Sequence, residues 1–241
     1  ILSQYIRMDI KKNFDTAFKN HQKGDLDNAE ILYKKILDIY PHHIPTLINL
    51  GLVFEQKKNF DESIKYYKKV ISKNSNHTIA LFNLASIHNN FGEYEKAIKL
   101  FKKVIEIDPN FISAQKNLAM IYMKHFDWER SEKIFFEVLK KNKNLTEIQY
   151  ILFFISKIKK IVILEKKNNF MQVIQESEKL ISIDPIKIEP YLYCLKSLIK
   201  LKKIKTIKHI FKIIKILGAN HIVEKFFKKE NIKLKFLKMN G

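Results

Sequence analysis

Three asparagine side chains recur at an interval of 34 residues, at Asn49, Asn83 and Asn117. A side-chain amide carries donors and an acceptor together, so it can hydrogen-bond the main chain of a peptide whatever the side chains of that peptide are. Three asparagines in one register are rare by chance even in an Asn-rich chain, so these amides are candidate binding groups. The series ends on both sides. Asp15 lies one interval before Asn49, and Lys159 and Tyr193 hold the equivalent positions after Asn117, once a shift of eight residues after residue 145 is taken into account.

The remaining reactive side chains do not form a recognisable catalytic or metal-binding set. His42 and His43 are adjacent, but no cysteine or suitably spaced histidine completes a zinc site around them. The single cysteine, Cys194, excludes an internal disulfide and suits a reducing compartment. The sequence lacks a Ser-His-Asp set, a convincing carboxylate pair and a glycine-rich phosphate loop. We therefore predict a chain that is not an enzyme and that uses no metal and no cofactor.

The composition favours a helical fold. Hydrophobic residues make up 46% of the 241 residues, which is enough to form a core. Five glycines and five prolines are too few for the many turns of a β-sandwich or barrel. The net charge is +20, but every basic residue except Arg7 and Arg130 is a lysine. Because nucleic-acid readers rely on the bidentate arginine fork, we expect no nucleic-acid partner.

A period of 34 residues organises most of the chain. Segments 44–77, 78–111 and 112–145 align without a gap, and segment 10–43 fits one period earlier. A leucine, a small residue, an aromatic residue and a valine keep fixed offsets in the three aligned segments: Leu50, Leu84 and Leu118; Gly51, Ala85 and Ala119; Tyr67, Phe101 and Phe135; Val70, Val104 and Val138.

Each period has the pattern of two amphipathic helices joined by a tight turn. In segment 78–111, Leu81 and Ala85 recur at helical spacing before Gly92, and Ala97 and Phe101 do so after it. Two such helices cannot bury both apolar stripes alone, so neighbouring periods must stack to form a core. We expect Ala85 and Ala97 to be small because the two helices approach closely there.

This pattern resembles the tetratricopeptide repeat, a helix-turn-helix unit of 34 residues. The characteristic positions of that family are met by Leu84, Ala85, Ala97, Phe101 and Pro109. The resemblance covers about residues 10–221. It implies an all-α fold, a right-handed superhelix (α-solenoid) of about six helix-turn-helix repeats plus a C-terminal capping helix.

The resemblance also divides the chain. After residue 145 the register slips by eight residues, which we interpret as a first helix lengthened by about two turns. The predicted order is a lead-in at 1–9, repeats at 10–43, 44–77, 78–111 and 112–145, an insert at 146–153, repeats at 154–187 and 188–221, and a capping helix with a basic tail at 222–241.

In superhelical members of this family, the first helix of each repeat lines a concave groove. Asn49, Asn83 and Asn117 occupy first-helix positions similar to the asparagine ladder in the repeat arm of O-linked N-acetylglucosamine transferases, where such amides hold the main chain of an extended peptide. The resemblance therefore implies that these three side chains bind peptide. The neighbouring groove positions, largely apolar and adaptable, are Phe14, Phe18, Ile48, Leu52, Phe82, Ser86, Lys116, Met120 and Met123.

Three functions are open at this stage. The first is a non-catalytic scaffold that binds an extended peptide or a helix of a partner protein. The second is the substrate-recruiting N-terminal arm of a larger glycosyltransferase or sulfotransferase, because residues 27–51 resemble the repeat arm of bacterial enzymes of those classes. The third is binding of an anionic membrane or polyanion through residues 188–241, which hold 14 lysines and three acidic residues. Lys196, Lys208 and Lys212 alternate with apolar residues there, a pattern that also fits a helix half in the core and half in solvent.

We expect a cytoplasmic location. The first nine residues lack the apolar core of a signal peptide. The most apolar stretch, residues 148–164, is interrupted by Lys157, Lys159 and Lys160. It therefore has fewer than the roughly 20 consecutive apolar residues that a membrane-spanning helix needs.

Overall fold

The computed structural model describes residues 2–230, which form thirteen α-helices joined by short turns and contain no strand. The helices fall into two compact units, the first ending at Lys143 and the second beginning at Asn144. Ile1 of the predicted lead-in and residues 231–241 of the predicted basic tail lie outside the described residues.

The first unit is built from four helix pairs, and each helix packs against the next one along the chain. The first helices of the pairs are α1 (Leu2–Gln22), α3 (Ile44–Gln56), α5 (Thr78–Asn90) and α7 (Ile112–Lys124), and the second helices are α2 (Leu26–Ile39), α4 (Phe60–Lys73), α6 (Tyr94–Ile107) and α8 (Trp128–Lys141). The described residues of the predicted lead-in belong to α1.

The second unit contains α9 (Thr146–Lys166), α10 (Phe170–Ile183), α11 (Glu189–Lys200), α12 (Ile204–Ile216) and α13 (Asn220–Lys229). With 21 residues, α9 is eight longer than the 13-residue helix α7, and residues 146–153 lie at its N-terminal end. The last helix, α13, begins two residues before the predicted capping segment. The repeat boundaries themselves stay a prediction.

Each turn within a pair of the first unit has one residue with a left-handed backbone, and its position follows the 34-residue period. The φ angles are 80° at Gly24, 62° at Lys58, 75° at Gly92 and 57° at Phe126. The next residue caps the second helix in three of these four turns, where Asp25, Asn59 and Asp127 accept a hydrogen bond from the backbone N–H three residues later. Short polar side chains at this position satisfy an amide that the helix leaves unpaired. The turn chemistry therefore fixes where each of these second helices begins.

The core of the first unit is made where small residues let the helices approach. Ala85 and Ala97 are fully buried, as the sequence predicted. Gly51 of α3 lies under the ring of Tyr67 of α4 so closely that an added Cβ would sit 2.5 Å from Tyr67 Cε1. Two repeats on, Ala119 holds the offset of Gly51 and is also fully buried. The small positions of the period thus lie in the core, where paired helices meet.

A buried ion cluster in the second unit corrects one expectation from the sequence. Lys196 does not belong to an exposed basic face, because its side chain is only 8% exposed. Its ammonium group forms ion pairs with Glu165 of α9, at 2.9 Å, and with Glu230, which follows α13. Burial disfavours the charged form, but hydrogen bonds to Glu230 and Glu165 outweigh it and raise the pKa of Lys196. Lys196 is thus a structural cation that joins three parts of the unit.

Candidate functional site

The three predicted asparagines lie at one position on three successive first helices. Asn49 is on α3, Asn83 on α5 and Asn117 on α7, and each side chain is partly exposed. Asp15 takes the equivalent position on α1 and is exposed. We call the surface formed by α1, α3, α5 and α7 in the first unit the first-helix face.

The asparagine amides differ in how far the protein already satisfies them. Asn49 Nδ2 donates to the carbonyl oxygen of Pro45, one turn earlier, at 2.8 Å. The amide of Asn83 lies beside the Tyr67 hydroxyl, but its buried Nδ2 makes no hydrogen bond of normal geometry. A buried donor without an acceptor is costly, and because Asn83 Nδ2 is shielded from solvent, a ligand carbonyl would bond it only after the side chain rotates.

A polar pair that the sequence did not reveal stands beside Asn83. The hydroxyl of Tyr67 donates to Glu55 Oε2 at 3.2 Å, joining α4 to α3. Burial raises the pKa of the Glu55 carboxyl, and burial followed by the charge of Glu55 raises the pKa of Tyr67. The sequence held one signal of this pair: Tyr67 stands at an offset where the next two repeats have phenylalanine, Phe101 and Phe135.

The neighbouring predicted positions range from exposed to buried. Phe18 of α1 and Met120 of α7 are 41% and 40% exposed, which leaves these large apolar side chains available for contact. Ile48 is only 8% exposed and belongs to the core. The half-buried members of the set are Phe14, Leu52, Phe82, Ser86, Lys116 and Met123.

Local contacts hold several of these half-buried side chains in place. Phe82 packs against Phe101 and Phe111, with ring centroids 5.7 Å and 5.0 Å away. The Phe14 ring stacks on Phe18 at 6.5 Å. Ser86 Oγ donates to the carbonyl oxygen of Phe82, so its hydroxyl is satisfied within α5. The first-helix face therefore combines fixed aromatic rings with the flexible side chain of Met120.

Other candidate groups are explained by the fold. Cys194 is buried, and this burial, followed by the charge of Glu178, raises the pKa of its thiol to about 12. Trp128 is buried in the first unit. On α12, Lys208 and Lys212 are exposed while Ile207 is buried, so the helix is half core and half solvated.

The described residues also bear on metal binding and on insertion into a membrane. Nowhere between residues 2 and 230 do three His, Cys, Asp or Glu side chains come together as a candidate metal site. None of the helices in that part of the chain is both long and apolar enough to cross a membrane.

Comparison with known proteins identifies the repeat. Residues 44–77 and 78–111 match the family model of the tetratricopeptide repeat. No curated protein sequence matches the chain. A tetratricopeptide repeat protein of known structure from Parabacteroides merdae is 17% identical, with a TM-score of 0.58 over 95% of this chain and 96% of that one.

Two further solved structures have a similar fold. The PilF protein of Pseudomonas aeruginosa is 14% identical, with a TM-score of 0.53 over 93% of this chain and 99% of that one. An O-GlcNAc transferase from Thermobaculum terrenum is 17% identical, with a TM-score of 0.52 over 56% of this chain and only 26% of that one. At these identities the likeness concerns the fold alone. The predicted all-α, helix-repeat fold class is thereby confirmed.

Proposed function

We propose that this tetratricopeptide repeat protein is a non-catalytic scaffold that holds an extended peptide of a partner protein on its first-helix face. The two matched repeats and the helix-repeat fold support a role as a protein-interaction scaffold. The observation that carries the finer proposal is the register of Asn49, Asn83 and Asn117, one amide on each of three successive first helices. An extended peptide offers carbonyl and N–H groups at regular intervals, so it suits a row of amides.

The asparagines and their neighbours would have different roles in recognising the peptide. The amides of the ladder would bind main-chain groups and tolerate any sequence. The exposed side chains of Phe18 and Met120 and the half-buried ring of Phe82 would contact the peptide side chains and select among sequences. Methionine suits this role because its unbranched side chain adapts to different neighbours.

The other two functions gain no specific support. The likeness to part of a transferase is one of fold, and a fold shared at 17% identity does not carry an activity. In the basic C-terminal region, Lys196 is buried in the ion cluster and is not available to bind a polyanion. The α12 helix of this region places apolar residues such as Ile207 in the core. Neither observation favours a transferase arm or a polyanion site.

The test compares the parent chain with the triple variant Asn49→Ala, Asn83→Ala, Asn117→Ala on an array of random 15-residue peptides. Each net hydrogen bond contributes about 0.5–1.5 kcal/mol. The triple variant should therefore bind about ten-fold to a thousand-fold more weakly, and by a similar factor for peptides of different sequence. Phe82→Leu or Met120→Ala should instead change which peptides bind.

Two controls separate binding from folding. Asn76→Ala, at an exposed loop position, should leave the array pattern unchanged. Because Asn83 lies beside Tyr67, its loss can also lower stability, so the double variant Asn49→Ala, Asn117→Ala is measured as well, with circular dichroism melts for all variants. The proposal fails if folded variants bind the array as tightly as the parent does.

A further inference from the structure

A cavity opens where the first two repeats meet, at one end of the first-helix face. It has a volume of about 460 Å³, within the range of small-ligand pockets. We call it the first-junction cavity. It is lined by Ile10, Lys11 and Phe14 of α1, by Tyr40 and His43 of the loop before α3, and by Pro45 of α3.

The walls of the first-junction cavity are mainly aromatic and apolar. The rings of Phe14 and His43 meet edge to face, with centroids 5.9 Å apart and an interplanar angle of 79°. Tyr40 keeps 45% of its surface exposed although it is a large ring. Aromatic rings prefer edge-to-face or offset neighbours at such distances. A further ring entering the cavity would find aromatic neighbours on more than one side.

Among the described residues that line the cavity, Lys11 is the one that carries a charge. His43 Nδ1 is 2.7 Å from Thr46 Oγ1, and burial lowers the pKa of the imidazole, which favours its neutral form. Lys11 is exposed and forms no ion pair with any side chain that the structure describes. Asp15, one turn further along α1, does not pair with it either. The cavity therefore presents an ammonium group that no described carboxylate pairs with.

The later junctions keep some of the wall residues and replace others: His77 stands at the offset of His43 one repeat on, and Phe82 stands at the offset of Phe14 two repeats on. One repeat on, Asn74 stands at the offset of Tyr40 and Pro45 at the offset of Lys11. Two repeats on, Phe111 stands at the offset of His43 and packs on Phe82 with ring centroids 5.0 Å apart. That contact corresponds to the Phe14–His43 contact of the first junction, so an aromatic pair forms this wall in both places. Of these three junctions, only the first has a lysine at this offset, since Pro45 and Ile79 replace Lys11 in the next two.

We infer that the first-junction cavity is a subsite for an aromatic side chain of the bound peptide, with a peptide carboxylate beside Lys11. This inference rests on the proposed function, because the aromatic side chain would belong to a peptide lying on the first-helix face. It names the chemistry of the preferred partner: an extended segment in which an aromatic residue stands next to an acidic residue or a free carboxyl terminus.

The experiment uses small probes, so that it does not depend on the ladder. The full chain is titrated with N-acetylphenylalanine, its uncharged amide and N-acetylalanine, following the NMR signals of Ile10 and His43. The phenylalanine carboxylate should bind in the millimolar range, the amide about two- to five-fold more weakly, and the alanine probe should not saturate. Lys11→Glu should weaken only the carboxylate probe, and Tyr40→Ala should weaken both phenyl probes.

Lys12→Glu is the matched control, since Lys12 is the exposed neighbour of Lys11 and does not line the cavity. The inference is wrong if the phenyl and alanine probes behave alike, or if Lys11→Glu and Lys12→Glu have equal effects. The triple asparagine variant should still bind N-acetylphenylalanine. If the parent binds this probe but no peptide on the array, the proposed peptide scaffold is wrong and the aromatic subsite is supported. If the parent binds peptides but not the probe, the aromatic subsite is wrong and the peptide scaffold is supported.

Discussion

Replacing Gly51 with alanine has two opposing effects on stability, of which the destabilising one should be the larger. Glycine inside a helix costs about 0.5–1 kcal/mol relative to alanine, because it loses more backbone freedom on folding. A Cβ at this position would, however, lie 2.5 Å from Cε1 and 2.9 Å from Cζ of Tyr67. Overpacking a well-packed core costs about 1–3 kcal/mol. We therefore expect Gly51→Ala to lower the free energy of unfolding by about 1–2 kcal/mol.

The hydroxyl of Tyr67 should decide whether this destabilisation occurs. Its hydrogen bond to Glu55 restrains the ring above Gly51. The equivalent small residue in the next repeat is Ala85, and the residue equivalent to Tyr67 there is Phe101, which has no hydroxyl to restrain it. With Tyr67→Phe the ring is free to shift, so adding Gly51→Ala in that background should be neutral or stabilising by up to about 1 kcal/mol.

Urea denaturation followed by circular dichroism would measure the four proteins of this double-mutant cycle. We expect a coupling free energy of at least about 1 kcal/mol between the two positions, within the range seen for residues in contact. Tyr33→Phe is the matched control, because the buried Tyr33 hydroxyl makes no hydrogen bond within the described chain. An equal cost of Gly51→Ala with and without Tyr67→Phe would refute the reasoning.

Three shorter predictions concern the turns and the second unit. Lys58→Gly should raise the free energy of unfolding by about 1 kcal/mol, because Lys58 has a φ of 62°, whereas Lys68→Gly, inside α4, should lower it; thermal melts distinguish the two. Lys196→Ala should lower the free energy of unfolding, measured by urea denaturation, by about 2–4 kcal/mol, because it leaves two carboxylates without their cation. Lys200→Ala, at an exposed position, should lower it by less than about 0.5 kcal/mol, and equal effects would contradict the buried ion cluster. Cys194 should react with iodoacetamide at pH 8 at least about a hundred-fold more slowly in the native protein than in urea, because its pKa is raised to about 12.

The helix pairs were predictable because their signals are local. A small residue such as Ala97 and an aromatic such as Phe101 at fixed offsets determine which faces pack, and a polar cap such as Asn59 determines where a helix starts. The eight-residue slip in register after residue 145 likewise corresponds to the greater length of α9. Each of these features can be read within a few turns of the chain.

The features that escaped prediction depend on partners that sequence spacing does not specify. Lys196 has the spacing of a solvated lysine, and only the packing of helices places Glu165 and Glu230 around it. The Tyr67 hydroxyl finds Glu55 across a helix pair, on the preceding helix. For the candidate site, the sequence located the ladder on successive first helices, while its peptide binding stays a prediction.

The left-handed turns have a consequence for how the first-helix face can evolve. Glycine occupies that position at Gly24 and Gly92, but Lys58, Phe126 and Lys202 hold it at a conformational cost of about 1–2 kcal/mol each. Single substitutions at these turns, away from the ladder positions, can therefore compensate for the loss of stability that new side chains on the first-helix face would bring. Selection can thus alter what the chain recognises one residue at a time, with the helix pairs kept folded by changes at the turns.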